Sequence, residues 1–368
     1  MSKFVLMAGG TGGHLFPAMA LAQELRRRSH DVYLMSDGRV GQYGKRFPAK
    51  EIITIPSATP SIKNPIKFLK AGFTILGGIF VALKKLRQIK PDAVVAFGGY
   101  PVFPPFFAAS MLGITGILHE QNAVLGRANR ALGKRAKALA LSFEITSFAD
   151  QIKVDQYVTG NPIRDRVSQA ANSFSYSKLK ENDKIRLLVF GGSQGAQVFS
   201  SLVPDAIAQL PREIQKRLII TQQCRPEDLE RVTKIYATLK INVELATFFN
   251  DLPERMAQSH LVICRSGASS VAELTAIGVP SILIPLPGSL DGDQSNNAAF
   301  VEASGGGWLI EQALTSPVLL GQRLQELFET PQMLNDAAKK AKEIGQTEAV
   351  IKLADLVEKY ANFSKIRK

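Results

Sequence analysis

Apolar residues along this 368-residue chain take two alternating forms, short unbroken runs and longer stretches in which they recur every three or four positions. The first run, residues 3–8 (Lys-Phe-Val-Leu-Met-Ala), leads into Gly9-Gly10-Thr11-Gly12-Gly13-His14 and then an Ala/Leu-rich stretch to Arg28. That order predicts strand, glycine loop and helix. Residues 185–190 (Ile-Arg-Leu-Leu-Val-Phe) lead likewise into Gly191-Gly192-Ser193-Gln194-Gly195-Ala196 and a helical pattern through about Leu210. The second half restarts the plan of the first. Further strand candidates lie at 31–35, 93–97 and 114–118, then at 218–221, 242–245, 261–264 and 281–284, with helical stretches between them. Strands alternating with helices predict parallel sheets in doubly wound α/β domains.

Between Gly160-Asn161-Pro162 and Asp183, Ser, Asn, Lys and Glu replace the apolar periodicity, so the boundary is placed there. The expected domains are residues 1–162 and 163–340. From about Asn335 to Tyr360 the chain is rich in Ala, Lys, Glu and Leu, which predicts amphipathic helices. From about residue 341 these are expected to rejoin the first domain.

Composition narrows the class. At 45% hydrophobic and 21% charged residues, the chain is neither disordered nor fibrous. Cys224 and Cys264 supply no disulfide framework and no zinc spacing, which favours a reducing compartment. The apolar run after Lys3 is too short for a signal-peptide core. The charge is uneven: residues 1–160 hold 21 Lys+Arg against 9 Asp+Glu, whereas residues 161–368 hold 24 against 23. An anionic partner is therefore expected for the first half.

Glycine loops between strand and helix let backbone amides approach an anion that the helix N-terminus then stabilises. The dinucleotide fingerprint fails, because Leu15 stands where its third glycine belongs, and no phosphate-loop Gly-Lys-Ser/Thr signature occurs. A phosphate or diphosphate of some other ligand remains the expected guest.

Six motifs in order carry more information than either loop. They are Gly9 to His14, Gly98-Gly99-Tyr100, His119-Glu120-Gln121-Asn122, Gly160 to Arg164, Gly191 to Ala196, and Cys264-Arg265-Ser266-Gly267-Ala268. With them the chain resembles, over nearly its whole length, the MurG family of bacterial peptidoglycan glycosyltransferases. The resemblance implies a GT-B fold: α/β, two Rossmann-like doubly wound parallel-sheet domains facing a cleft. It implies inverting transfer of N-acetylglucosamine from UDP-GlcNAc to the 4-hydroxyl of the N-acetylmuramoyl group of lipid I, yielding lipid II. UDP-GlcNAc is then a substrate, and neither cofactor nor metal is expected. Donor contacts carried over from the family fall on Arg164, Ser193, Phe249, Ala268, Ser269, Ser270, Val271, Ala272, Glu273 and Gln294, with Glu273 accepting the ribose hydroxyls. Thr11, Gly12, Gly13 and Asn122 complete the expected substrate-binding set. The loop Pro101-Val102-Phe103-Pro104-Pro105 departs from the family pattern, so no acceptor contact is carried over there.

An inverting transfer needs a base for the acceptor hydroxyl. His14 leads, since it closes the first glycine loop and imidazole titrates near neutrality. His119 and Glu120, just beyond the strand at 114–118, are the rivals. His30 and His260 read as structural. Asp291-Gly292-Asp293 has the spacing of a metal motif, but it sits in a Pro/Gly loop before Gln294 and is read as the donor loop.

Residues 63–90 account for the charge asymmetry. Lys63, Lys67 and Lys70 precede the apolar run 71–83, and Lys84, Lys85, Arg87 and Lys90 follow it. That run is shorter than the roughly 20 residues that span a bilayer, so interfacial docking on anionic lipid is expected, and the resemblance implies the cytoplasmic face of the inner membrane. A nucleic-acid surface is not expected, because aromatic side chains do not interleave with the charges. The alternatives are another GT-B UDP-sugar enzyme, such as a glycolipid glycosyltransferase or a UDP-GlcNAc 2-epimerase, and a catalytically inactive nucleotide-sugar-binding protein.

Overall fold

The computed structural model describes residues 1–40, 47–59, 64–192 and 197–366, with side chains to residue 362. The chain divides into two compact units, Met1–Asp165 with Thr347–Lys368, and Arg166–Gln346.

Unit 1 holds a seven-stranded parallel sheet in the order β3-β2-β1-β4-β5-β6-β7. Its strands are β1 (Lys3–Met7), β2 (Asp31–Ser36), β3 (Glu51–Thr54), β4 (Ala93–Ala96), β5 (Thr115–Glu120), β6 (Ala138–Leu141) and β7 (Asp155–Val158). β1 and β4 are central and covered on both faces, which is why they read as continuous apolar runs. The sequence did not announce β3, β6 and β7. β3 and β7 are edge strands with mostly exposed residues, and β6 is Ala-Leu-Ala-Leu, where alanine carries little strand preference. The returning helix Ala349–Ile366 packs Leu353, Ala354, Val357 and Ala361 into the core beside Leu15, Leu21 and Leu25. Arg28 fastens it from outside, reaching Asp355 and Glu358 at 2.6 Å each.

Unit 2 repeats the plan with six parallel strands in the order β10-β9-β8-β11-β12-β13. These are β8 (Ile185–Phe190), β9 (Leu218–Gln223), β10 (Asn242–Ala246), β11 (Leu261–Cys264), β12 (Ser281–Leu283) and β13 (Gly307–Leu309). Only β13, three residues opening on a glycine, has no counterpart in the apolar pattern.

The helix Pro65–Ile89 revises one expectation. The apolar run 71–83 lies within a 25-residue helix, long and apolar enough to cross a membrane by length and composition. Asn64 caps it by accepting the Lys67 N–H at 3.0 Å, and Lys63 lies outside the described residues. One face, Ala71, Gly78, Ala82, Leu86 and Ile89, is buried. Gly78 is required there, because a Cβ would stand 2.1 Å from the Pro56 carbonyl oxygen. Ile66, Leu69, Phe73, Leu76 and Phe80 form the opposite stripe and are 63–78% exposed.

Candidate active site

In each unit the strand order reverses at one point, the place where open α/β sheets bind ligands beyond the carboxyl ends of their strands. In unit 1 this point lies between β1 and β4. β1 runs into Gly9 and Gly10, with Thr11 as the N-cap residue of helix Gly12–Arg27; β4 runs into Phe97, Gly98 and Gly99. Gly98 and Gly99 have φ of +82° and +78°, open to glycine at little cost. A Cβ on Gly98 would stand 3.4 Å from Cδ2 of His14, and one on Gly99 would stand 3.2 Å from its Cε1. The imidazole is thus seated against a backbone corner where a side chain would be strained by its φ and would press on the ring. On the other side Thr11 Oγ1 lies 3.1 Å from His14 Nδ1, and the helix has no side-chain cap. Enclosure of the ring, aided by the charge of Arg39, lowers the His14 pKa to about 4 although part of the residue stays exposed. Neutral at pH 7, it has the free nitrogen a base needs.

Asp37, just past β2, completes this corner. Its carboxylate accepts Arg39 Nε at 2.6 Å and, more weakly, the Tyr100 hydroxyl at 3.4 Å, while the Arg39 guanidinium carbon lies 5.0 Å from the Tyr100 ring centroid. A side chain on Gly10 would collide with Asp37 Oδ1 at 2.6 Å. Nothing local in the sequence marks Asp37 or Arg39, since they join the site through the β1-β2 pairing.

The two rival bases are engaged elsewhere. His119 on β5 is fully buried; the Gln121 amide donates to its Nδ1 at 2.8 Å and its Nε2 donates to the Gly160 carbonyl at 3.0 Å. Burial lowers its pKa to about 4. Glu120 is 2% exposed, and its carboxylate takes four donors: the Asn122 backbone N–H and side-chain amide at 3.0 and 3.2 Å, and the Gly126 N–H and Asn129 amide at 2.8 Å each. Burial raises its pKa and those bonds oppose the rise. Both residues hold the 121–129 loop, and neither offers an open atom to a substrate hydroxyl. Asn129, missed from the sequence, binds both, through the His119 carbonyl and the Glu120 carboxylate. His30 and His260 are also engaged, with Glu358 and the Arg186 N–H. Arg164 belongs to unit 1, its guanidinium carbon 4.0 Å from the Phe16 ring on the helix that carries Gly12, Gly13 and His14.

In unit 2 the reversal lies between β8 and β11. β8 ends at Phe190 before Gly191 and Gly192; Ser193, with Gln194, Gly195 and Ala196, lies outside the described residues. β11 runs through Arg265, Ser266 and Gly267 into helix Ala268–Ile277, whose N-cap residue Gly267 offers no side chain. Ser266 is fully buried; its hydroxyl donates to the Gln294 carbonyl at 2.8 Å and its carbonyl accepts the Asn297 amide at 3.1 Å. Gln294 Oε1 accepts the Leu286 N–H at 3.0 Å. The 286–294 loop is therefore stapled to the mouth of the Ala268–Ile277 helix. On its first turns Ala268 and Val271 are buried while Ser269, Ser270 and Ala272 are half-buried, and Ser269 Oγ has no hydrogen-bond partner among the described residues. Glu273 is 6% exposed, which removes a solvated helix charge as an account of it. Phe249 is buried beneath the Arg255 guanidinium, 4.4 Å from its centroid.

Asp291 adopts φ +55° and Gly292 φ +70°, and Asp293 opens helix Asp293–Ala303, its carboxylate accepting the Gln294 N–H at 2.7 Å. Among the described residues no three His, Cys, Asp or Glu side chains gather as a metal site.

Residues 4–141 match the glycosyltransferase family 28 N-terminal domain, and residues 186–356 match the family 28 C-terminal domain. The UDP-N-acetylglucosamine--N-acetylmuramyl-(pentapeptide) pyrophosphoryl-undecaprenol N-acetylglucosamine transferase of Rhizobium etli is 46% identical over 98% of this chain and 96% of its own. The enzyme of that name from Methylobacterium radiotolerans is 48% identical over 96% of each chain. Among solved structures, Acinetobacter baumannii MurG superposes with a TM-score of 0.79 at 31% identity, covering 98% of this chain and 100% of that one. The glycosyltransferase of kitacinnamycin, at 19% identity and a TM-score of 0.68, shares the GT-B fold. With its two parallel-sheet units and this full-length likeness, the chain belongs to the MurG family of N-acetylglucosamine transferases within glycosyltransferase family 28.

Proposed function

We infer that this protein transfers N-acetylglucosamine from UDP-N-acetylglucosamine to N-acetylmuramyl-(pentapeptide) pyrophosphoryl-undecaprenol, lipid I, and so makes lipid II. The observation that carries the reading is the similarity, over 98% of the chain, to enzymes of that name. The geometry adds the chemistry. Unit 1 supplies the base: neutral His14, with Nδ1 facing Thr11, takes the acceptor proton at Nε2. As that O–H bond breaks, the oxygen attacks the anomeric carbon and inverts it, and the sugar–phosphate bond pair leaves with UDP. Unit 2 holds the donor: the entry to helix Ala268–Ile277 faces the diphosphate, Glu273 takes the ribose, and the Phe249 segment meets uracil. Ser193 and Arg164 add donors to the departing charge. No metal step is required.

The exposed stripe Ile66-Leu69-Phe73-Leu76-Phe80 docks unit 1 on the membrane that carries lipid I. Because the other face of the same helix is packed in unit 1, the helix lies along the interface and does not cross it. Lys67, Lys70, Lys84 and Arg87 then meet anionic headgroups at the cytoplasmic face.

The test is incubation with radiolabelled UDP-N-acetylglucosamine and a lipid I analogue, with product analysis. A labelled disaccharide lipid bearing a β-1,4 linkage is the expected product. Epimerised or hydrolysed nucleotide sugar alone would refute the assignment.

A further inference from the structure

Gln222 and Gln223 end β9 and point to opposite faces of the sheet. Gln222 is fully buried and serves the core, accepting the Tyr236 hydroxyl at 2.6 Å and donating to the Phe199 carbonyl at 3.0 Å. Gln223 has a different set of partners. Its Oε1 accepts the Gly191 backbone N–H at 3.2 Å, its Nε2 donates to the Thr247 carbonyl at 3.0 Å, and it is 8% exposed. Gly191 is the first residue past β8 and Thr247 the first past β10, and β9 lies between those two strands. Where the backbone ladder stops, the chain ends have no strand partner. The side-chain amide of Gln223, itself a peptide-like group, supplies one more rung on each side.

We propose that Gln223 is a positioning residue for the nucleotide sugar, holding Gly191, at the end of β8, and the Thr247-Phe248-Phe249 segment at a fixed separation. The proposal rests on the reading of unit 2 as the UDP-N-acetylglucosamine unit. There Gly191 opens the diphosphate loop and Phe249 belongs to the uracil side, so a nucleotide is gripped at both ends by segments that the single Gln223 side chain bonds together. A ligand held at two points loses affinity when the points drift apart, and a side chain that reaches both sets their spacing.

The test compares Q223M, which keeps the shape of the side chain but removes both bonds, with the parent protein. UDP affinity is measured by calorimetry, and transfer is measured with donor and acceptor varied separately. Q223M is expected to weaken UDP about tenfold and to lower kcat/KM for the donor by the same factor, with acceptor KM and kcat at saturating donor unchanged. Equal UDP affinity in the two proteins overturns the proposal and leaves the donor assignment standing, whereas no UDP binding by the parent overturns both. An equal loss in donor and acceptor parameters also overturns it, since that is the mark of a reduced folded fraction. Should Q223M fold poorly, Q223E gives the same readout, because it keeps an acceptor for the Gly191 N–H and loses the bond to Thr247.

Discussion

Thr11 Oγ1 stands 3.1 Å from Nδ1 of His14, so the hydroxyl that would cap the first helix faces the imidazole instead. If Nε2 is to take a proton, Nδ1 must already carry one and donate it to Thr11. T11V removes that acceptor and is expected to lower kcat about tenfold or more, while T11S restores it. H14A is expected to lower turnover about 10²–10⁴-fold with UDP affinity within about twofold of the parent. A variant that loses mainly UDP affinity would make His14 a diphosphate contact.

The pH profile tests the same assignment independently. In the free enzyme the His14 pKa is lowered to about 4 from 6.5, by burial first and then by Arg39. The imidazole is therefore unprotonated, and competent as a base, through the neutral range. The acid limb of kcat/KM is expected to fall near pH 4, well below the usual imidazole value, and to move up in R39Q, where the neighbouring cation is gone. A parent limb near 6.5 would contradict the enclosed setting of the ring.

His119 makes a prediction about stability. Its pKa is about 4 folded against 6.5 unfolded, so above 6.5 neither state is protonated, and between 6.5 and 4 only the unfolded chain binds the proton. Stability is thus complete above pH 6.5 and is lost as pH falls toward 4, by about 3 kcal/mol for this residue. Urea titrations at several pH values, read by a probe in unit 1, are expected to show this loss and a smaller one in H119Q.

Glu120 is expected to act through the loop it holds. In E120Q an amide NH₂ replaces one carboxylate oxygen and faces N–H donors from Asn122, or from Gly126 and Asn129. The mismatch costs about 1–3 kcal/mol of stability and lowers kcat, with the shape of the pH profile unchanged. Loss of the acid limb in E120Q would instead make Glu120 the base.

Much of this site was legible in the sequence, because glycines at the ends of buried strands are a local signal with a geometric cause. Gly9 to His14 and Gly98-Gly99 lie 84 residues apart along the chain yet flank one imidazole, because β1 and β4 are neighbours in the sheet. The resemblance paired these motifs; their spacing alone did not. What stayed illegible depends on tertiary pairing. Asp37 and Arg39 look like ordinary loop charges until β2 lies beside β1, and Asn129 looks like a helix-surface residue until β5 delivers Glu120 to it. The sequence put His14 first and kept His119 and Glu120 as rivals. Only their hydrogen-bond partners separate them.

Glu273 is expected to matter for the donor and not for the acceptor. Being 6% exposed on the Ala268–Ile277 helix, it is not replaced by solvent when removed. E273A is expected to weaken UDP by about tenfold or more in calorimetry, with a smaller effect on a phosphate-only competitor such as pyrophosphate, because the ribose contact is the part lost. Unchanged UDP affinity in a folded variant would remove the ribose assignment.

Docking on the membrane is expected to depend on one stripe of the Pro65–Ile89 helix and on two of its cations. Lys84 and Arg87 follow Phe73 and Phe80 along the exposed side, whereas Lys85 is 2.6 Å from Glu51 and is already neutralised. Replacing Phe73 and Phe80 by serine removes aromatic surface from side chains that are 74% and 71% exposed, so folding stability should change by less than about 1 kcal/mol. Vesicle binding is expected to fall in that double variant and in K84Q/R87Q, and to stay near the parent level in K85Q. Only the charge variant's defect should vanish at high salt, since screening over about 8 Å at physiological ionic strength weakens headgroup attraction and leaves hydrophobic insertion intact. Activity on membrane-embedded acceptor should track vesicle binding, while activity on a short-chain soluble analogue persists. If F73S/F80S sediments with anionic vesicles as well as the parent protein, the exposed stripe is not the docking face.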